Sequence, residues 1–325
     1  MLENLFTEFI DKVYKISEVY RFEGRFNEAM LFFESIKPIL DFDNLRNEDK
    51  ARILIQFAKI RMDHKFLKDF DYSEEMKMLQ DAQKLAESSN VKSIQADALD
   101  LYGNCIYRAG ILEGDFEDAL KYYKQALSIR TQIQDKLGIT WSYFHLGIYH
   151  ENKKDPNEKD HQTSFDYFEK GLKIALEEDF KLEKSYLYRH LAGHYAYNRD
   201  DLDKGLEYFK KSAELREEIG FIFSLQFAYF AIGFIYFMKK ELENALEYFK
   251  KAFIAAESVH RMKPLMVLIQ RRGDEIVEEI DVDSAANYYS LMIDSAKTIN
   301  LLDGIKEFEN KIKDLSNKTR KEKIT

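Results

Sequence analysis

IGFIFSLQFAYFAIGFIYFM, residues 219–238, is the run on which the reading of this chain turns. Apart from two tyrosine hydroxyls, only Ser224 and Gln226 interrupt its apolar character, and Lys239 and Lys240 follow. A stretch of this length can cross a bilayer. Two features point elsewhere. The run passes directly into ELENALEYFKKAF, where Ala245, Phe249 and Ala252 share one helical face. Inside the run, Tyr229, Ile232, Gly233 and Tyr236 stand at i, i+3, i+4 and i+7, an ordered stripe that lipid does not require. The expectation is a helix covered on most sides by protein.

The same set recurs. Counterparts of Gly233 are Ser17, Ala58, Gly103, Gly147, Ala192 and Gly273, and successive members of the series are 40 to 45 residues apart. Each is followed by a second set of small, aromatic and small residues. These read Ala29/Phe33/Ile36, Glu75/Leu79/Ala82, Ala119/Tyr123/Ala126, Ser164/Phe168/Gly171, Gly205/Phe209/Ser212, Ala245/Phe249/Ala252 and Ala285/Tyr289/Met292. A fixed period of this size marks a solenoid. Small residues let two helix axes approach to about 8–10 Å, and the aromatics fill the space beside that contact.

On these residues the chain resembles the tetratricopeptide repeats, most closely at Tyr229, Ile232, Gly233, Tyr236, Ala245, Phe249 and Ala252. The long period is similar to the branch that includes kinesin light chains. The resemblance implies an all-α, right-handed α-solenoid of about seven helix-turn-helix repeats. They are expected at 10–43, 47–88, 95–133, 138–178, 183–218, 223–259 and 264–299, with a capping helix at 301–316 and a basic, disordered tail at 317–325. The sequence departs from the family in three respects. The proline that usually closes the second helix is nearly absent. Arg61 stands where an aromatic is expected, and Arg272 where a large apolar residue is expected.

Composition excludes several classes. A net charge of −9 opposes binding to nucleic acid or an anionic membrane. The single cysteine, Cys105, lies among apolar residues on an expected helix, so no disulfide framework exists. The amphipathic, acidic start MLENLFTEFIDK lacks the form of an export signal, which makes the cytoplasm the expected location. Glu151–Thr163 is expected to be a long polar loop, and Arg61, His64, Lys65 and Lys68 form a basic patch that reads as a solvated face. His190 and His194 have a spacing that can share a metal, but HLAGH lacks the glutamate of HExxH, and neither a metal nor a cofactor is expected.

In the family, ligands lie along the concave surface made by the first helices. Offset from the packing set at the corresponding positions are Phe227, Phe230, Phe234 and Phe237, then Tyr186 and Arg189 one repeat back, then Trp141 and Phe144. Further back the positions become polar, with Asp97, Asp100, Asn104 and Lys59. The four phenylalanines fit either a groove or a core. The family's clamp for C-terminal carboxylates uses Lys, Asn and Arg on successive first helices, and Lys59, Asn104, Arg108 and Arg189 do not reproduce that combination. The reading is a non-enzymatic scaffold, monomeric or weakly homo-oligomeric. It would bind a peptide or helix of a protein partner through Trp141, Phe144, Tyr186, Arg189, Phe227, Phe230, Phe234 and Phe237. The rival readings are a peptide-sensing regulator similar to Rap-type proteins, whose additional N-terminal module is not expected here, and a self-assembling structural protein.

Overall fold

Each first set falls on one helix and each second set on the next, as the change of periodicity between them requires. The computed structural model of the chain describes residues 2–66, 68–259, 281–298 and 302–322. Its helices are α1 (Leu2–Glu23), α2 (Phe26–Ile36), α3 (Asn47–Lys65), α4 (Ser73–Ser88), α5 (Lys92–Gly110), α6 (Ala119–Gln132) and α7 (Lys136–Glu151). They continue as α8 (Glu158–Glu177), α9 (Lys181–Gly193), α10 (Leu202–Glu218), α11 (Ile222–Met238), α12 (Leu242–Ser258), α13 (Val282–Thr298) and α14 (Leu302–Glu322). The described residues contain no strand. This is an all-α solenoid. Gly273, Arg272 and the expected first helix of the seventh repeat lie outside the described residues.

The chain divides into two compact units, Met1–Phe223 and Ser224–Thr325. In the first, consecutive helices pack on one another, and each first helix also touches the next first helix, α1 on α3, α3 on α5, α5 on α7 and α7 on α9. Those five helices form its inner layer. In the second, α13 packs on α14.

The small-to-aromatic contact sets the spacing within a pair. A Cβ added at Gly147 would lie 2.3 Å from the ring of Phe168, and one at Gly233 2.8 Å from Phe249. In the divergent second repeat the contact changes its chemistry. Arg61 donates to Glu75 at 2.6 Å and also pairs with Glu74, while Lys65 reaches Glu75 at 3.0 Å. An ion pair therefore occupies the place of the expected aromatic contact, with Glu75 fully buried.

The missing prolines also have a structural counterpart. Asn90, Gln134, Asp179 and Gly220 adopt φ of 55°, 56°, 55° and 68° in the turns between repeats. The next residue's N–H reaches back five positions in each case, as in Asp135 to Arg130 at 3.0 Å and Phe180 to Ala175 at 2.9 Å. Left-handed residues with this bond end a helix without proline.

Three boundaries differ from the sequence reading. The expected loop at 151–163 shrinks to 152–157, because Asn157 and Asp160 form a reciprocal capping box that starts α8 at Glu158. Helix α14 runs to Glu322, through most of the segment expected as a tail. The run at 219–238 folds as the turn into α11 and α11 itself, and no described helix is long and apolar enough to cross a membrane.

The first unit also closes on itself. Phe221, fully buried, packs with its ring tilted 4.8 Å from that of Phe22, and Phe223 meets Phe26 edge-on at 4.9 Å. The Arg21 guanidinium lies 5.3 Å from the Phe221 ring. Leu182, Tyr186 and Ile219 pack into the same cluster as Phe33 and Phe57. The turn between α10 and α11 is thereby fastened to the α1–α2 turn.

Gly147→Ala should destabilise the fold by about 1–3 kcal/mol, because the added methyl must displace Phe168. Gly193→Ala is the control: its new Cβ would meet only Tyr197 at 3.9 Å. Urea unfolding should show a loss for the first and none for the second.

Candidate functional site

The inner layer carries polar side chains that join one first helix to the next. On α1, Glu18 pairs with Arg21 at 2.7 Å and accepts from Gln56 at 2.6 Å and Lys59 at 3.1 Å, both on α3. Asp63 of α3 stands between Arg21 at 3.6 Å and Arg108 of α5 at 2.9 Å. Burial alone would raise the Glu18 carboxyl, yet the Lys59 and Arg21 cations hold it well below the usual carboxylate range.

The next link joins α5 to α7. His145 Nδ1 donates to Asp100 at 2.9 Å, and Asn104 Nδ2 lies 3.4 Å from His145 Nε2. Arg130 of α6 reaches Asp97 at 2.7 Å, Asp100 at 3.0 Å and Ser142 at 2.8 Å. Burial would raise Asp100, but Arg130 and His145 bring it down to about 2. From α7 to α9, His190 Nδ1 donates to Glu151 at 2.7 Å while its Nε2 accepts from Arg189 at 3.0 Å.

Beside this ladder lies an aromatic cluster. Trp141 meets Phe144 edge-on at 5.5 Å and Tyr186 at 5.4 Å, and Phe144 lies 5.4 Å from Tyr186. Phe144 is buried, whereas Trp141, Tyr186 and Arg189 remain partly open. The Arg216 guanidinium, on α10, sits 5.4 Å from the Tyr186 ring. Burial and the nearby Arg189 charge bring Arg216 down to about 9. Three of the sequence-derived residues, Trp141, Phe144 and Tyr186, thus meet in one ring cluster of the first unit, with Arg189 one turn beyond Tyr186 on α9.

The other four lie on α11 in the second unit. Phe230 packs 5.6 Å from Phe249, and Phe237 lies 5.5 Å from Tyr288. Phe230, Phe234 and Phe237 are buried and Phe227 is half-buried. These contacts are with the second helix of their own repeat and with α13, which favours the core reading of the stripe. Sequence reasoning places Glu151 at a groove position and His145 one repeat before His190, without giving either a role, and omits Arg216. For His145 the available signal is the i, i+4 spacing of Asp100 and Asn104 opposite it, which becomes visible only once the repeats are in register.

His190 is already engaged by Glu151 and Arg189, and His194 Nε2 lies 3.1 Å from Ser164 Oγ. Among the described residues, no group of three or more His, Cys, Asp or Glu side chains is placed to hold a metal. Burial brings His194 down to about 4 against the opposing pull of Glu151. Burial lowers His190 as well, again against Glu151. In the Cys105 thiol, burial raises the pKa to about 12, so it stays protonated.

The tetratricopeptide-repeat signature matches residues 108–132 and 228–253, and the chain contains tetratricopeptide repeats at both places. No curated protein matches it by sequence. Among solved structures it is similar to NprR in complex with its cognate peptide NprX, with a TM-score of 0.58 and 12% identity, covering 95% of this chain and 88% of that one. It is also similar to the apo form of RapI, with a TM-score of 0.55 and 14% identity, covering 78% of this chain and 85% of that one. A third likeness is to the STAND protein PH0952 from Pyrococcus horikoshii, which has a tetratricopeptide repeat sensor, with a TM-score of 0.52 and 17% identity. That match covers 87% of this chain but spans only 42% of the length of PH0952. At these identities the likenesses show the fold.

The buried histidines give the fold a sign-definite response to acid. Between pH 6.5 and about 4 the unfolded chain takes up protons that folded His194 refuses, so stability is present above pH 6.5 and is lost as pH falls through this window. His194 alone should account for about 3 kcal/mol. Below it, Glu18 and Asp100 add a second loss as their depressed carboxyls protonate. Urea unfolding at stepped pH should resolve both stages, and His194→Gln should shrink the upper one, leaving the share of His190, without changing the lower.

Proposed function

We propose that the chain binds a peptide or helical segment of a protein partner along the inner face of its first unit, without chemistry of its own. The observation that carries this reading is the set of partly open side chains Trp141, Tyr186 and Arg189: the two rings meet edge-on at 5.4 Å, and Arg189, one turn beyond Tyr186 on α9, is oriented by its hydrogen bond to His190. Tryptophan, tyrosine and arginine are the residue types that dominate binding hot spots. Side chains ordered before binding lose less freedom when a partner arrives. Phe144 backs the cluster, while Phe227 to Phe237 serve the second unit's packing. NprR, solved with its cognate peptide NprX, supports a peptide as the occupant of such a fold. It also keeps open a peptide-sensing role as well as a scaffolding one.

Trp141 is the only tryptophan of the chain, so its emission is a direct reporter of the proposed face. A partner captured from the source cell would be mapped to a peptide and titrated while that emission is followed. A saturable change is expected. Trp141→Ala, followed by calorimetry, and Arg189→Glu should each weaken binding about 10- to 100-fold, provided circular dichroism shows a folded chain. A peptide that binds both variants as tightly as wild type, leaving Trp141 emission unmoved, would place the site elsewhere.

A further inference from the structure

Every first helix from α3 to α9 buries one face against the repeat before it, and α1 presents that same face to solvent. In register with Lys12, Ile16 and Val19 of α1 stand Ile53, Phe57 and Ile60 of α3, which are 2%, 3% and 0% exposed. The same positions in α5, α7 and α9 are buried, apart from half-buried Tyr102. On α1, by contrast, Ile16 is 42% and Val19 54% exposed. The face continues through Leu5, 54% exposed, and Phe9, 38% exposed. Leu5, Phe9, Lys12, Ile16 and Val19 alternate spacings of four and three, the seam of a two-helix contact.

We propose that this face pairs with the same face of a second copy of the chain, α1 lying antiparallel on α1 about a twofold axis at Lys12. The charges beside the seam select this occupant. Glu8 and Lys15 are exposed, seven residues apart on one edge. About an axis at Lys12, Leu5 stands level with Val19 of the other copy, while Phe9 and Ile16 on the seam, and Glu8 and Lys15 on its edge, come within one residue of level. A parallel pair would set glutamate on glutamate and lysine on lysine. The contact is self-complementary, as a closed twofold interface requires. Its one unfavourable element is Lys12, which meets its own counterpart. One helix pair also falls short of the ~800 Å² per partner of a standard interface. The dimer is therefore weak, with a dissociation constant on the order of 10–100 μM.

The test is sedimentation velocity of the full chain from about 5 to about 500 μM, a range that brackets that constant. Mass should rise from 38.5 kDa toward twice that value. Lys12→Leu should tighten association at least about tenfold by removing the axial like charges. Ile16→Glu should hold the chain monomeric. Glu8→Lys should weaken the dimer and Glu8→Lys/Lys15→Glu should restore it. The altered side chains are exposed, and an unchanged thermal melt confirms that folding is not at issue. A monomer throughout for both wild type and Lys12→Leu overturns the proposal, as does association indifferent to these changes. Failure of the double reversal to restore the dimer overturns the antiparallel pairing. Should chemical cross-linking in source-cell lysate trap a different protein on α1 while the purified chain stays monomeric, the occupant is that protein and not a second copy.

Discussion

The approach of a small residue on one helix to an aromatic ring on the next sets the geometry of the described repeats. Where Gly147 faces Phe168, the absent side chain is the space that the ring fills. The ring therefore has one place to sit, and its position fixes the distance and rotation of the pair. Packing at crystal-like density leaves little slack for alternatives. The second repeat shows that the constraint is one of volume and satisfied chemistry, since Arg61 with Glu75 fulfils it by charge. A buried pair of that kind is costly if either partner is lost.

With spacing fixed, the inner helices can be linked by side chains of defined length. The Glu18–Arg21–Asp63–Arg108 chain crosses three first helices, and His145 and His190 carry the connection onward. Such a network stabilises little in net terms once desolvation is counted. Its effect is geometric. It forces neighbouring repeats into one register, so that Trp141 of α7 meets Tyr186 of α9, with Arg189 one turn beyond. The order of the proposed site is a by-product of how the repeats are joined.

Period, helix pairing and the identity of the packing sets were legible in the sequence because they depend on local spacing and residue size. Gly103, Gly147 and Gly233 announce themselves. What could not be read are the features that depend on how far the array curves. Nothing adjacent to Phe221 marks it as a partner of Phe22, 199 positions earlier. For the same reason Phe230 and Phe237 were equally compatible with a groove and a core, since burial there depends on α12 and α13. The short 152–157 linker was hidden by composition: a charged, proline-containing stretch looks like a loop until Asn157 and Asp160 are recognised as each other's cap. The left-handed residues that replace the missing prolines are chemically diverse, and Gln134 gives no hint of its turn.

The contact of Phe221 and Phe223 with Phe22 and Phe26 alters what kind of polymer the first unit is. An open repeat array behaves as a one-dimensional chain of neighbours, able to fray or nucleate at any point. A fastening between segments some two hundred residues apart adds one interaction that no run of neighbours can make alone, at an entropic cost that grows only logarithmically with the loop it closes. It links the fraying of the first helix pair to that of the fifth. Melting should therefore sharpen toward a single step, and folding should gain a late event in which the two ends find each other. In that respect the unit behaves less like a spring than like a clasped bracelet.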